Sequence, residues 1–466
     1  MMSSSKCSSG AKDEDYYPPW TSSALKHARQ VVGNELSHML KTKNYDVKAI
    51  KCFMEFFLRR IPRAWAFWTD KYAAKQAQGV AVPTLNLDNS PIQIGFNFTS
   101  CDANPPGRPP VWLITEVDHT TAKKTLDEYC KRNEFGPVKY NMVWLDCLYK
   151  SIFKGAGSTF FGDIRLRFDI RPAVRQLSAP LQTYPGPIPA DARVFFDPTS
   201  KAKHLGQTRW ALIRQSILAL PMIAQEDYQL RRIVAGVQMV EDFLAGYPRE
   251  FGNLFTTVDA GPEEPLEATF GLTCTIPAGA TSPDFEEVWK WCTLGGRITA
   301  QKDYKNPVVD DQAQAQAQAG NDNNSDHEPA VKVDLEPYLD RAQRAKMGAA
   351  GPQVAPCSVH FTFGAKFNEP RAMLILESEF SPRTQVQLAH SVDSFLTGNG
   401  WWREALPYPV FLWNCFAGLP LEDPSTRLQT SVGVCYSWDG EPCSEWTLET
   451  CYNPLYNQCP RPRKSV

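Results

Sequence analysis

Nowhere in the 466 residues do apolar residues run on for the roughly 18 positions that a membrane-spanning helix requires, so no such helix is expected. No CxxC pair occurs, although cysteine numbers 13. The nearest regular set, Cys435, Cys443, Cys451 and Cys459, has no histidine among it and is spaced too widely for a zinc site. Reduced, buried thiols are the expectation. Charge of one sign is not in excess: the net charge of -2 argues against a general binder of nucleic acid or anionic membrane. The N-terminal stretch carries Ser3 to Ser5 and Asp13 to Asp15 but no apolar core of a signal peptide. Residues 1–20 therefore read as disordered, and a cytoplasmic protein is expected. Aromatic residues, by contrast, are plentiful, with 13 Trp, 25 Phe and 16 Tyr. They are numerous enough to wall a cavity or to fill a large core.

The dominant pattern is alternation. In Pro91-Ile92-Gln93-Ile94-Gly95-Phe96-Asn97-Phe98, the apolar Ile92, Ile94, Phe96 and Phe98 oppose Gln93, Gly95 and Asn97. That is a strand with one dry face and one polar face, and Asp88-Asn89-Ser90-Pro91 supplies the turn before it. From Val111 to Val117, Trp112, Ile114 and Glu116 share a face. Over 164–171, Ile164, Leu166, Phe168 and Ile170 oppose Arg165, Arg167, Asp169 and Arg171. A short strand at Val194-Phe195-Phe196 and a longer one from Thr269 to Ile276 follow. From Cys357 to Phe363, the polar face holds Ser358, His360 and Thr362. From Arg371 to Glu377, Arg371, Met373, Ile375 and Glu377 oppose Ala372, Leu374 and Leu376. Leu428 to Tyr436 and Ser444 to Leu448 close the series.

Helical spacing separates these segments at 21–42, 47–60, 120–132, 141–152, 208–220, 228–245, 284–292, 335–347 and 384–397, with Pro62 expected to end the second helix. Residues 310–333, rich in Gln-Ala pairs and Asn321-Asp322-Asn323-Asn324, have little to bury and read as a disordered loop. The helix–strand order resumes beyond it, so the loop inserts into a single domain over 21–460.

About ten strands in neighbouring pairs between helices, each half-buried, indicate an antiparallel α+β architecture; parallel strands would read as continuous apolar runs. If helices cover the dry faces, the polar faces meet either water or each other. An open sheet with one solvated face fits this pattern. So does an antiparallel barrel wrapped by helices, with a wet lumen as reaction chamber.

Several segments resemble the fungal dimethylallyltryptophan synthase (DMATS) type of aromatic prenyltransferase. They are Ser90-Pro91-Ile92-Gln93, Asp284-Phe285-Glu286-Glu287-Val288 followed by Thr293-Leu294-Gly295-Gly296, the stretch from Glu369-Pro370-Arg371 to Gly400-Trp401, and the terminal paired strands. The likeness runs from about residue 45 to 455 and rests on order and spacing rather than on one motif. It implies the ABBA fold, in which repeated α-β-β-α units close a ten-stranded antiparallel barrel. It also implies a metal-independent reaction without cofactor: an allylic diphosphate ionises, and an electron-rich aromatic acceptor, indole or phenolic, attacks the cation. Arginines or lysines hold the leaving diphosphate, aromatic walls exclude water from the cation, and a carboxylate holds the acceptor.

This chain departs from the family at those points. Gln93 stands where the family has glutamate, and an amide can hold a substrate but cannot act as a base. Trp112 replaces an arginine, Arg167-x-Asp169 replaces a Lys-x-Tyr pair, and Thr269 to Thr275 carries no cation. Arg371-x-Met373 takes another polar-x-Tyr position, and Trp446 a late tyrosine.

The resemblance therefore makes Gln93 the clamp on the acceptor, with a structural hydrogen bond as the alternative. Arg165, Arg167 and Arg371 would cradle the diphosphate beside Asp169, with a solvated face as the alternative. Trp112, Trp446 and Met373 would form the wall, or ordinary core. His360 and Lys154 are the remaining acid–base candidates. The function expected is prenyl transfer from an allylic diphosphate to a small aromatic acceptor by a monomer or homodimer. The alternatives are a barrel repurposed for cyclisation or rearrangement without diphosphate, and a binding protein without catalysis.

Overall fold

The computed structural model describes residues 22–64, 92–99, 111–117, 119–133, 147–152, 164–173, 188–219, 227–246, 253–259, 269–275, 357–364, 371–377, 385–398, 407–416, 419, 421–422, 428–436 and 442–452. The expected helices at 284–292 and 335–347, the Thr293–Gly296 motif, the loop at 310–333 and residues 1–20 lie outside them.

Among the described residues ten antiparallel strands make up the sheet: β1 (Ile92–Thr99), β2 (Val111–Val117), β3 (Ile164–Ile170), β4 (Ala190–Phe196), β5 (Asn253–Asp259), β6 (Thr269–Thr275), β7 (Cys357–Gly364), β8 (Arg371–Glu377), β9 (Leu428–Tyr436) and β10 (Pro442–Tyr452). Each pairs with its neighbour in sequence, and β1 pairs with β10, so the hydrogen bonds run round a closed ring. β5 has no counterpart among the expected strands, because adjacent Leu254 and Phe255 break the alternation in sequence. β4 begins four residues before the Val194 at which sequence alone would start it, and β10 continues to Tyr452 rather than stopping at Leu448.

The helices lie on one face of this sheet. α1 (Ser22–Thr42) and α2 (Val47–Ala64) are joined by a tight turn in which Asn44 takes a left-handed conformation, φ 56°, a conformation that asparagine tolerates better than most residues. α2 buries Phe53, Phe56, Phe57 and Ile61 along one stripe. Phe53 and Phe56 meet Phe168 of β3 edge-on, at 6.1 and 5.4 Å between ring centres. α2 also runs two residues past Pro62; in the last turn the proline removes only one hydrogen bond at an end that frays anyway. α3 (His119–Asn133), α4 (Thr199–Leu205), α5 (Arg209–Leu218), α6 (Asp227–Gly246), α7 (Gln385–Gly398) and α8 (Tyr408–Cys415) complete the named helices. α4 and α8 have no counterpart in the sequence reading; each is only about two turns long, too short to show a helical period.

Tyrosines tie helix to sheet. The Tyr45 hydroxyl donates to the Ile170 carbonyl at 2.6 Å and accepts from the Val111 amide at 3.1 Å, which locks the end of the β2–β3 ladder. The Tyr129 hydroxyl donates to the Ala190 carbonyl at 2.8 Å, and the Tyr408 hydroxyl hydrogen-bonds Thr450 of β10.

Candidate functional site

The two faces of the sheet divide the apolar residues into two clusters. Ile92, Ile94, Phe96, Leu113 and Phe168 join the large core with the helices. Trp112, Ile114 and Cys451 form a separate small cluster, with Phe195 against it. The second cluster sits on the opposite side of the same strands, which is the lumen of the ring. Strand pairing carries that face round: Trp112, Ile114 and Glu116 of β2 stand beside Asp169, Arg167 and Arg165 of β3, and these stand beside Asp191, Arg193 and Phe195 of β4. Gln93 pairs with Ile114, and Gly95 pairs with Trp112 on one side and Cys451 on the other.

This wall is dense rather than wet. Asp169 is 1% exposed and Trp112 is 3% exposed, and Gln93, Glu116, Arg165 and Arg167 are buried too. Its charges answer one another. The Arg165 Nε donates to Glu116 Oε1 at 3.2 Å. The Arg167 Nε donates to Asp169 Oδ1 at 3.0 Å, and its two terminal nitrogens donate to Glu449 of β10 at 3.3 and 2.9 Å. The guanidinium carbon of Arg167 lies 4.5 Å from the centre of the Trp112 ring, a cation–π contact. Arg193 stands directly opposite Arg167 on the ladder, a placement that repels unless countered; Asp169 Oδ2 lies 3.4 Å from the Arg193 Nε and supplies that counter-charge. Burial works against the charge of Arg167, but Asp169 and Glu449 outweigh it and hold its pKa above the ordinary arginine value.

Close approach is built into the wall at Gly95. A Cβ there would lie 2.6 Å from the Thr450 carbonyl oxygen and 2.8 Å from Cζ2 of Trp112, so only glycine lets the indole cross β1. Asn97, next on that face, stands opposite Glu449.

Arg371 does not join this cluster. β3 and β8 are five strands apart in either direction round the ring, so Arg371 and Met373 occupy the wall facing Arg165 and Arg167. The three arginines expected to share one cradle are divided between opposite sides, because strands consecutive in sequence pair in order and set β3 and β8 half a ring apart. Arg171 lies just past β3, where its Nε donates to Asp191 Oδ2 at 3.0 Å. His360 pairs with Met373, and the Thr447 hydroxyl donates to the Met373 sulfur at 3.6 Å. Trp446 pairs with Val434 of β9. Its side chain, like Lys154, lies outside the described residues.

Two members of the charged wall were not foreseen. Glu449 falls one residue beyond the expected end of its strand, and Arg193 one residue before the expected start of its own. The alternation of Ala190, Ala192, Val194 and Phe196 against Asp191, Arg193 and Phe195 would have revealed the second. Cys52, Cys130, Cys147, Cys415 and Cys451 are not joined in disulfides. Among the described residues no group of three His, Cys, Asp or Glu side chains gathers as a metal site, and no helix is long and apolar enough to cross a membrane.

No protein-family model matches the chain. The DMATS-type prenyltransferase mfmD of Annulohypoxylon moriforme is 23% identical over 287 residues, which cover 57% of this chain and 59% of that protein. The prenyltransferase phnF of Penicillium herquei is 25% identical over 282 residues, covering 57% and 58%. The chain thus spans less than two thirds of the length of either curated relative it matches. Among solved structures, the NotF prenyltransferase superposes with a TM-score of 0.61 at 14% identity, over 95% of this chain and 98% of that one. NotF in complex with brevianamide F and DMSPP superposes with a TM-score of 0.59 at 12% identity, over 95% and 97%. The chain shares the fold of these structures, and its sequence likeness is to two prenyltransferases, one of them named as DMATS-type, at 23% and 25% identity.

Proposed function

We propose that the protein is an ABBA-barrel prenyltransferase of fungal secondary metabolism that moves a prenyl group from an allylic diphosphate to an indole or phenolic acceptor within the lumen. The observation that carries this reading is the likeness to curated DMATS-type enzymes in a chain whose lumen face collects arginines and an indole ring. The C–O bond of the donor breaks, and its electron pair leaves with diphosphate. A ring carbon of the acceptor bonds the allylic cation, and the ring proton is then lost. Arg165, Arg167 and Arg371 are the candidates to meet the diphosphate, Trp112 and Met373 to flank the cation, Gln93 to hold the acceptor, and His360 or Lys154 to take the proton. The barrel would form one domain over 21–460, with 310–333 inserted as a loop.

A second reading is favoured by one specific observation: Arg165, Arg167 and Arg193 already face the carboxylates of Glu116, Asp169 and Glu449. A barrel so balanced suits a substrate without diphosphate, turned over by cyclisation or rearrangement through orientation and hydrogen bonds. Calorimetric titration with dimethylallyl, geranyl and farnesyl S-thiolodiphosphates, without metal, separates the two. Micromolar binding that Arg371→Ala weakens supports transfer; absence of binding at millimolar ligand sinks it in favour of the second reading.

A further inference from the structure

We infer that Asn97 and Trp112 form a subsite for a neutral amide group of the acceptor; this rests on the reading of the lumen as the chamber for an aromatic acceptor. The two residues lie on one face of adjoining strands: Trp112 pairs with Gly95, and Asn97 follows Gly95 on the lumen side. Each is 3% exposed. Among the described residues, neither the oxygen nor the nitrogen of the Asn97 amide has a hydrogen-bond partner, and neither does Nε1 of Trp112. Buried polar groups are costly without partners, and three such atoms on one patch of a chamber wall mark a place where a ligand completes the bonding.

The patch has a definite chemistry. Asn97 offers one acceptor and an amino donor, and Trp112 offers an N–H donor. Their complement is an amide edge whose carbonyl accepts from Asn97 Nδ2 and Trp112 Nε1 while its N–H donates to Asn97 Oδ1. Charge selects the neutral form. Glu449 stands opposite Asn97, and its carboxylate is already matched by Arg167, which also holds Asp169 and lies over the Trp112 ring. A carboxylate added here would stand beside Glu449 without a cation of its own, and an ammonium would stand beside Arg167 without an anion of its own. An amide adds no charge.

The test is calorimetric titration of the full chain, without prenyl donor, using indole-3-acetamide and indole-3-acetate as probes. They share ring and shape and differ in the amide. The amide is expected to bind about tenfold more tightly, the worth of one or two well-made buried hydrogen bonds. Asn97→Leu should abolish the preference, and Trp112→Phe should reduce it. Equal affinities, tighter binding of the acetate, no binding of either probe at millimolar concentration, or a preference that survives Asn97→Leu would each overturn the subsite. The wild-type comparison decides without any variant having to fold. A parallel titration with dimethylallyl S-thiolodiphosphate keeps the two questions apart. Donor binding without amide preference removes the subsite and leaves the transferase; amide preference without donor binding leaves the subsite and removes the transferase.

Discussion

Round the lumen, the sector from β10 through β1 to β4 and the sector from β7 to β9 treat charge differently. In the first, Glu449, Glu116, Arg165, Arg167, Asp169 and Arg193 are interleaved, and each of these arginines meets a carboxylate. In the second, the same face carries Ser358, His360, Thr362, Arg371, Met373 and Gly433, and the Met373 sulfur accepts from the Thr447 hydroxyl of β10. Both sectors read in sequence as polar faces of alternating strands. In the first sector the same or a neighbouring strand returns an opposite charge to each arginine, and for Arg167 the ring's closure through β1 and β10 adds a second one, Glu449. A buried cation that is already matched serves the shape of the chamber first, and any anionic ligand has to compete for it.

The largest expected effect tests the charged sector. Arg167→Ala takes their shared cation from buried Asp169 and half-buried Glu449, leaving Arg193 as the counter-charge of Asp169, and it should lower stability by about 3 kcal/mol, read as a fall in the urea midpoint at unchanged slope. Next comes the contrast between the two wall glycines. A Cβ at Gly95 meets the Thr450 backbone oxygen at 2.6 Å, whereas one at Gly433 meets only side-chain atoms, the Thr447 hydroxyl oxygen at 2.5 Å and the Met373 sulfur at 2.7 Å. Gly95→Ala should therefore cost about 3 kcal/mol and Gly433→Ala below about 1.5 kcal/mol, since a thioether can move aside and a backbone cannot. Equal costs in thermal unfolding would break the contrast.

Tyr45→Phe leaves the Val111 amide and the Ile170 carbonyl without the hydroxyl that bridges them, and should cost about 1–2 kcal/mol. Amide exchange should quicken at Val111 before it does at β7 or β8.

The smallest effect concerns pH and the outer side of β10. Burial pushes the phenol of Tyr408 from 10.0 up to about 12, against the opposing pull of its Thr450 hydrogen bond. The folded value lies above the unfolded one, so this contribution is fully present below pH 10 and is lost as pH rises through about 12. Denaturant midpoints should fall through that window, and Tyr408→Phe should flatten the fall.

Much of the sheet was legible from alternation. Ile92 to Phe98, Val111 to Val117 and Ile164 to Ile170 show their strand character and their two faces in the residues themselves, because side chains of a strand alternate whatever the strand pairs with. β5 was not legible, since Leu254 and Phe255 adjoin and Thr256 interrupts the apolar series. The site was legible by face but not by partnership. Gln93, Trp112, Arg165, Arg167 and Asp169 could be read as one surface, yet Glu449, which holds Arg167 from 282 residues away along the chain, could not. The sequence by itself determined which residues are strand, which face of each strand is polar, and that the sheet is antiparallel with helices on its dry side. Only the tertiary structure decided that β1 meets β10, that Arg371 stands across the lumen from Arg167, and that the arginines of one wall are matched by carboxylates. Alternation is a local property of two-residue period; register and closure are set by long-range pairing and by the chain length between partners.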